Sequence, residues 1–267
     1  MSTQLERILA HTRLELRDRR AAADLPLLQR KAAAHSPRGF EAALRRAASS
    51  GPAVIAELKK ASPSRGLIRP DFQPAALAKS LEAAGAAALS VLTDQEYFQG
   101  SLAHLTSAST ATRIPCLRKD FMVDPFQILE ARAAGADAIL LIVAALEDED
   151  LKRLSQEARS MELDVLCEVH DRLELERAAA LGFTVVGVNS RNLHTMEVQP
   201  QTQIELAQWL PATAVRVAES GIRNPSDIVR MREAGYNAFL VGESLMRQPD
   251  PAAALAGLLE REYPAEI

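Results

Sequence analysis

Charged residues stand where strongly apolar segments of this chain end. They are Glu57 and Lys59 in AELKKASPSRG, Lys119 in CLRKDF, Glu168 in LCEVHD and Glu219 in VAESG. A charge in such a place is costly unless it is paired, so any one of them could be a structural ion-pair residue. Carboxylates and ammoniums at the ends of several similar segments suggest a shared purpose. Gathered in a water-poor site, they would shift one another's proton affinities, as general acid–base chemistry requires. Two ammoniums, Lys59 and Lys119, would lower each other's pKa, while Glu57 and Glu168 would oppose that shift.

The neighbouring residues extend the set. Ser62 follows the first segment, Phe98 lies in VLTDQEYFQGS, and Phe121 stands just after Lys119. VGVNSRNL supplies Asn189, Arg191 and Leu193. Two glycine motifs, ESG and GES, bring Ser220, Gly221, Gly242, Glu243 and Ser244. Taken singly, each glycine motif is only a turn signal. Together, backbone N–H groups at Ser220, Gly221, Gly242 and Glu243, helped by a helix N-terminus, would suit a phosphate.

Positioning these side chains at one place requires a repeated element. Runs rich in Val, Ile, Leu and Ala recur at 53–58, 86–92, 115–117, 138–143, 164–169, 185–188, 214–218 and 238–241, each followed by polar residues and an amphipathic stretch. Continuously apolar strands of this kind suit a parallel sheet buried on both faces. Glycine stands before a strand at Gly85, Gly135, Gly182 and Gly235, where a left-handed residue would end the preceding helix. Eight βα units predict an α/β fold, a (β/α)8 TIM barrel, whose strand ends meet in one catalytic mouth. A phosphate site in the loops after strands seven and eight recurs in that fold. A doubly wound open sheet is the alternative, without a GxGxxG after the first strand to support it. The expected organisation is one domain over 1–267: an N-terminal helical extension over 1–50, read as two helices, and the barrel over 51–267. The segment 60–70, KASPSRGLIRP, is long for a βα connection and is expected to act as a lid.

The composition narrows the function classes. The chain has 267 residues, 48% hydrophobic and 25% charged, which suits a globular protein with a large core. A net charge of −4 gives no reason to expect nucleic acid or an anionic membrane as partner. No apolar run approaches the roughly 20 residues of a membrane span. The first residues mix acidic and basic side chains without a secretory apolar core, so a cytoplasmic location is expected. Cys116 and Cys167 sit in apolar runs and are expected to be buried thiols. The five histidines show no metal-ligand spacing, so no metal is expected. His170 reads as a surface or capping residue, Trp209 as packing a helix against the barrel, and LEDEDLKRL as an exposed helix start.

AELKKASPSRG, LRKDF, CEVHD, GVNSRNL, VAESGI and FLVGESLM resemble, in this order, the motifs of the indole-3-glycerol-phosphate synthases. The resemblance runs from Gly51 to Arg247. Arg65 stands where lysine is common, and Ser190 where asparagine is common. The resemblance implies a decarboxylating, dehydrating ring closure of 1-(2-carboxyphenylamino)-1-deoxyribulose 5-phosphate, in tryptophan biosynthesis and without a cofactor. It further implies Lys119 as general acid and Glu168 as general base. Lys59 would hold the carboxylate and phosphate side of the substrate, with Glu57, Asn189 and Glu219 orienting or assisting. Phe98, Phe121, Leu140 and Leu193 would form a slot for the aromatic ring. Ser62, Arg191 and Ser220 would also touch the substrate, and Lys59, Ser220, Gly221, Gly242, Glu243 and Ser244 would hold its phosphate. The expected partner is thus a small phosphorylated molecule, and the expected assembly a monomer or weak homo-oligomer. Two other functions remain open: another phosphosugar isomerase or epimerase, which would call for a Cys/Asp pair or metal-binding histidines at the strand ends, and a non-catalytic barrel that binds.

Overall fold

The computed structural model describes residues 3–191 and 197–260. Three helices precede the first strand: α1 (Gln4–Ala22), α2 (Leu25–Ala34) and α3 (Phe40–Ala48). The expectation of two is corrected by local chemistry. Asp24 caps α2 by accepting from the Leu27 amide, with Pro26 in its first turn, and Gly39 opens α3 at φ +73°. Proline in a first turn and a left-handed glycine both mark breaks between helices.

The barrel strands are β1 (Ala53–Leu58), β2 (Ala88–Leu92), β3 (Cys116–Lys119), β4 (Ala138–Ile142), β5 (Asp164–Val169), β6 (Val185–Asn189), β7 (Val215–Glu219) and β8 (Ala238–Val241). They pair in chain order, and β8 returns to β1 through Ala53↔Ala238 and Ile55↔Leu240, closing a parallel barrel. The expected (β/α)8 barrel with its N-terminal helical extension is therefore the observed fold. β3, β6 and β7 run on into Lys119, Asn189 and Glu219, past the purely apolar residues. Pairing continues there, with Leu92 opposite Lys119 and Asn189 opposite Glu219. β4 stops at Ile142, where a short 3₁₀ turn begins.

Helices follow the strands: α4 (Pro74–Ala83), α5 (Leu102–Ala111), α6 (Pro125–Ala133), α7 (Asp148–Ser160), α8 (Arg172–Ala180), α9 (Pro200–Ala207), α10 (Pro225–Glu233), the short α11 (Glu243–Met246) and α12 (Pro251–Leu259). The glycine stops behave as expected. Gly85, at φ +98°, donates to Glu82 O while Ala86 donates to Leu81 O, the paired bonds of a Schellman end. Gly135 repeats the arrangement at φ +89°. The acidic run does start α7, with Asp148, Glu149 and Asp150 in its first turn. Cys116 and Cys167 are free and buried. Trp209 differs from expectation: it is 47% exposed, and the Arg172 guanidinium lies 3.7 Å from its ring centroid. It joins the end of α9 to α8 instead of packing on the barrel.

One apolar layer lies between strands and helices, and a smaller one fills the barrel. Phe40 and Leu44 of α3 pack into the inner layer beside Ala53, Ala88 and Ala138, the first residues of their strands. α3 therefore closes the floor, the N-terminal end of the barrel. There Arg38 grips Asp137 through Nε at 2.9 Å and Nη2 at 2.5 Å, and Asp137 also accepts the Cys116 amide at 2.6 Å. α1 reaches the other end, held by Arg19 on Glu130 at 3.1 Å and Arg20 on Asp124 at 3.5 Å.

Candidate active site

Side chains alternate along a strand, so the residue two positions beyond an inward apolar residue also faces inward. Ile55 is followed by Glu57, Leu117 by Lys119, Leu166 by Glu168 and Val217 by Glu219. The apolar fill gives way to charge at one level, the C-terminal mouth. The Lys119 ammonium lies 2.6 Å from Glu168 Oε2 and 3.3 Å from Glu219 Oε2. Lys59 pairs with Glu57 Oε1, while Ser90 Oγ donates to Glu57 Oε2 at 3.5 Å. Asn189 accepts through Oδ1 from Ser220 Oγ at 2.9 Å and from the Arg191 amide at 3.0 Å. The structure thus unites Lys59, Lys119, Glu57, Glu168, Glu219 and Asn189.

Two glycines make room for the charges. A Cβ on Gly187 would run into the Glu219 carboxyl, with Cδ at 3.0 Å. A Cβ on Gly242 would stand 3.0 Å from both Cβ and Cδ of Glu57. Gly242 therefore has a packing reason to be glycine quite apart from any phosphate. A side chain added there would disturb Glu57 as well as the backbone approach to a ligand.

Burial and pairing set the proton affinities. Burial pushes Lys119 toward the neutral amine, but Glu168, Glu219 and Glu57 outweigh it and raise the pKa. At Lys119, attraction to the carboxylates thus overcomes the depression expected from a second ammonium. Burial would raise Glu168, yet Lys119 and then His170 hold it well below the usual carboxylate range. Glu219 goes the other way: burial, reinforced by Glu168 and only partly offset by Lys119, pushes it up to about 8. Neighbouring carboxylates with such divergent affinities can play different proton-transfer roles.

Two hollows adjoin this cluster. The inner one, about 130 Å³, is lined by Lys59, Lys119, Glu168, Asn189, Ser62, Phe98, Phe121, Leu140 and Arg191, among others. Phe98 and Phe121 stand 6.5 Å apart by ring centroid, tilted by 37°. Leu193 lies outside the described residues. The outer cleft, about 1030 Å³, brings Ser220, Gly221, Gly242, Glu243 and Ser244 together with Lys59. Ser220 and Gly221 are both left-handed, at φ +67° and +83°, and the serine is an unusual residue to hold there. Glu243 and Ser244, whose first-turn amides have no acceptor within α11 itself, line the cleft. Other groups are already engaged. Ser244 Oγ donates to Ile222 O at 2.9 Å, and the Glu243 carboxylate holds Arg65 at 3.1 Å and Arg247 at 3.4 Å. The segment expected as a lid contains a small hairpin, Ala61–Ser62 with Gly66–Leu67, and Arg65 ties it to Glu243.

Several lining residues escaped the sequence reading. Gln4, Leu5 and Ile8 of α1 reach the inner hollow, although nothing in that helix's pattern says which end of the barrel it crosses. Arg65, Arg223 and Arg247 border the outer cleft, and basic residues following strands one, seven and eight were the available signal. Asp94, 5% exposed, also lines the inner hollow; burial raises its carboxyl to about 6. His170 is corrected outright. Its side chain is 12% exposed and lies between Glu168 and Glu174, while Asp171 caps α8. The spacing of His170 from both glutamates, at two and four residues, was the available signal.

The barrel resembles that of thiamine phosphate pyrophosphorylase from Pyrococcus furiosus (TM-score 0.58, 16% identity, 77% of this chain and 93% of that one). It also resembles an N-acetylmannosamine-6-phosphate 2-epimerase from Clostridium perfringens (TM-score 0.58, 14% identity, 74% and 89% covered). At that identity the likeness concerns the fold. Sequence is more specific. A protein of Koribacter versatilis named indole-3-glycerol phosphate synthase is 60% identical over 259 residues, 97% of this chain and all of that protein. A protein of the same name from Laribacter hongkongensis is 51% identical over 261 residues, covering 97% and 99%. The indole-3-glycerol phosphate synthase family model matches residues 5–258, and the chain belongs to that family.

Proposed function

We propose that the mouth of this barrel performs the family's ring closure, with Lys119 as general acid and Glu168 as general base. Family membership makes the chain a decarboxylating lyase of tryptophan biosynthesis that acts on a small phosphorylated molecule. The observation that carries the residue assignment is the Lys119–Glu168 contact of 2.6 Å in a hollow walled by Phe98 and Phe121.

The aromatic ring of 1-(2-carboxyphenylamino)-1-deoxyribulose 5-phosphate enters the slot formed by Phe98, Phe121 and Leu140. The ring carbon bearing the carboxylate attacks the keto carbon, and Lys119 donates its proton to the keto oxygen. The carboxylate leaves as CO₂, and its bonding pair restores aromaticity. In the second stage the new hydroxyl departs as water with a proton shared from Lys59, and Glu168 takes the proton from the carbon beside nitrogen. The indole double bond results, without redox change. Substrate that separates Lys119 from Glu168 removes a strong attraction raising the ammonium's pKa, so Lys119 becomes a better acid once the site fills.

Glu57 holds Lys59, Asn189 and Ser220 orient the sugar chain, and Arg191 and Ser62 border it. The phosphate lies in the outer cleft, on backbone N–H groups of Ser220, Gly221, Gly242, Glu243 and Ser244, with Lys59 alongside. Neither a metal nor an organic cofactor takes part. The proposal includes the cytoplasm as setting and a monomer or weak homo-oligomer, built as a single barrel domain, as working unit. Among the described residues no helix is long and apolar enough to cross a membrane. Turnover of the synthetic substrate, followed by indole fluorescence in the presence of EDTA, tests the reading. Steady product formation is expected; no product, or activity restored only by a divalent ion, would overturn it.

A further inference from the structure

His170 stands just beyond the C-terminal end of β5, at the junction with α8. Its Nε2 lies 3.3 Å from Glu168 Oε1, the carboxylate oxygen turned away from the 2.6 Å contact between Oε2 and Lys119. Its Nδ1 lies 3.1 Å from Glu174 Oε2, and its backbone N–H donates to that same oxygen at 2.8 Å. One residue of α8 thus secures both ring and backbone, while Nε2 faces Glu168 at ion-pair distance.

We propose that His170, held by Glu174, is a positioning residue that fixes the Glu168 carboxylate and limits its basicity, leaving Oε2 to act on the substrate. The inference rests on the reading of Glu168 as the base. The electrostatics agree with the geometry. Burial favours neutral imidazole, but Glu168 and Glu174 outweigh it and push His170 up to about 10, so the ring is cationic at neutral pH. Other charges face the pair from the surrounding strands and helix. Lys119 on β3 and Glu219 on β7 bear on Glu168, and Cys167 is the buried thiol beside it on β5. On α8, Arg177 is committed to Asp148 at 2.7 Å and to the carbonyls of Val143 and Leu146. Glu168 is therefore bracketed by two cations. A carboxylate so placed is a weak base until one neighbour withdraws, and substrate in the inner hollow meets Lys119, which lines it, whereas His170 is not among its lining residues.

The test compares pH profiles of kcat/KM, which report the free enzyme's groups. His170→Gln retains a hydrogen-bond donor without the charge, and His170→Leu removes both. In either variant the acid limb should move up by roughly one pH unit or more, the size expected for losing a close opposite charge. KM should change little. His170→Leu should lose more kcat than His170→Gln, because it also releases the carboxylate's orientation. Circular dichroism shows whether the variants fold. If they do not, Glu174→Gln keeps the cationic histidine but removes its anchor, and should lower kcat far more than it changes KM; a parent-like kcat would then overturn the inference. An acid limb that coincides with the parent enzyme's in folded variants would overturn the inference. Glu168→Gln separates the two failures: full turnover in that variant defeats the base assignment itself, whereas an inactive Glu168→Gln with unmoved His170 limbs defeats only the role of His170.

Discussion

The two ends of the barrel both bury carboxylates, and they treat them in opposite ways. On the floor, Asp137 has its oxygens filled by Arg38, His35 and the Cys116 amide. Burial would raise its pKa, but the hydrogen bonds and charge of those partners hold it below the usual value. In the mouth, Glu219 has one oxygen near Lys119, while Oε1 is buried without a hydrogen-bond partner among the described residues. Burial pushes that group up to about 8. A fully satisfied carboxylate locks structure together, whereas an under-satisfied one retains capacity to exchange a proton. The floor is organised for stability and the mouth for chemistry, as expected of a barrel whose sites gather at the C-terminal ends of its strands.

The sharpest way to break this comparison is on the floor. Asp137→Ala leaves the Arg38 guanidinium and the buried Cys116 amide without their acceptor. Removing one partner of a buried pair costs roughly 3–5 kcal/mol, so thermal or denaturant unfolding should show a loss of that order. The folded fraction should keep its kcat. A loss below about 1 kcal/mol would show that the network is not what holds the floor.

A smaller effect sharpens the contrast through pH. Asp137 has a lowered folded-state pKa, so its contribution is present above the ordinary value of 3.8 and fades as pH falls through the folded value. Glu219 has a raised one. Its protonated form is favoured by folding, so stability is present below 4.5 and is lost as pH rises through about 8. Glu219→Gln removes that loss. Its melting temperature should match the parent's at pH 5 and exceed it by several degrees at pH 9, at roughly 2–4 °C per kcal/mol for a domain of this size. A difference that stays constant from pH 5 to pH 9 would contradict the assignment.

The parts legible in the sequence were those that local rules determine. Strands apolar on both faces and glycine at helix ends depend on short segments, and β1, β5 and β8 match their expected bounds. The inward charged set was legible too, because alternation along a strand fixes which side chains share a face. What escaped depends on relations between elements. Nothing in the sequence singles out Gly187, and its purpose emerges only where β6 lies against β7 and Glu219 needs the space. Gly242 reads as a phosphate turn, and its contact with Glu57 exists only because β8 closes onto β1. His170 reads as a surface residue until α8 brings Glu174 back over it. The third N-terminal helix was hidden in a segment whose breaks, Pro26 and Gly39, are single residues.

The central claim is that the mouth works through proton donation by Lys119, and substitution with two different residues tests it most directly. Lys119→Met preserves most of the volume and removes the donor; Lys119→Arg preserves the charge but scarcely releases a proton near neutrality. With kcat measured at saturating substrate, both variants should fall by roughly 10²–10⁴, the range of a lost general acid. KM should change far less, because the phosphate cleft is untouched. A Lys119→Arg enzyme with near-native kcat would contradict the account, since Lys119 would then supply charge alone and the proton would have to come from elsewhere.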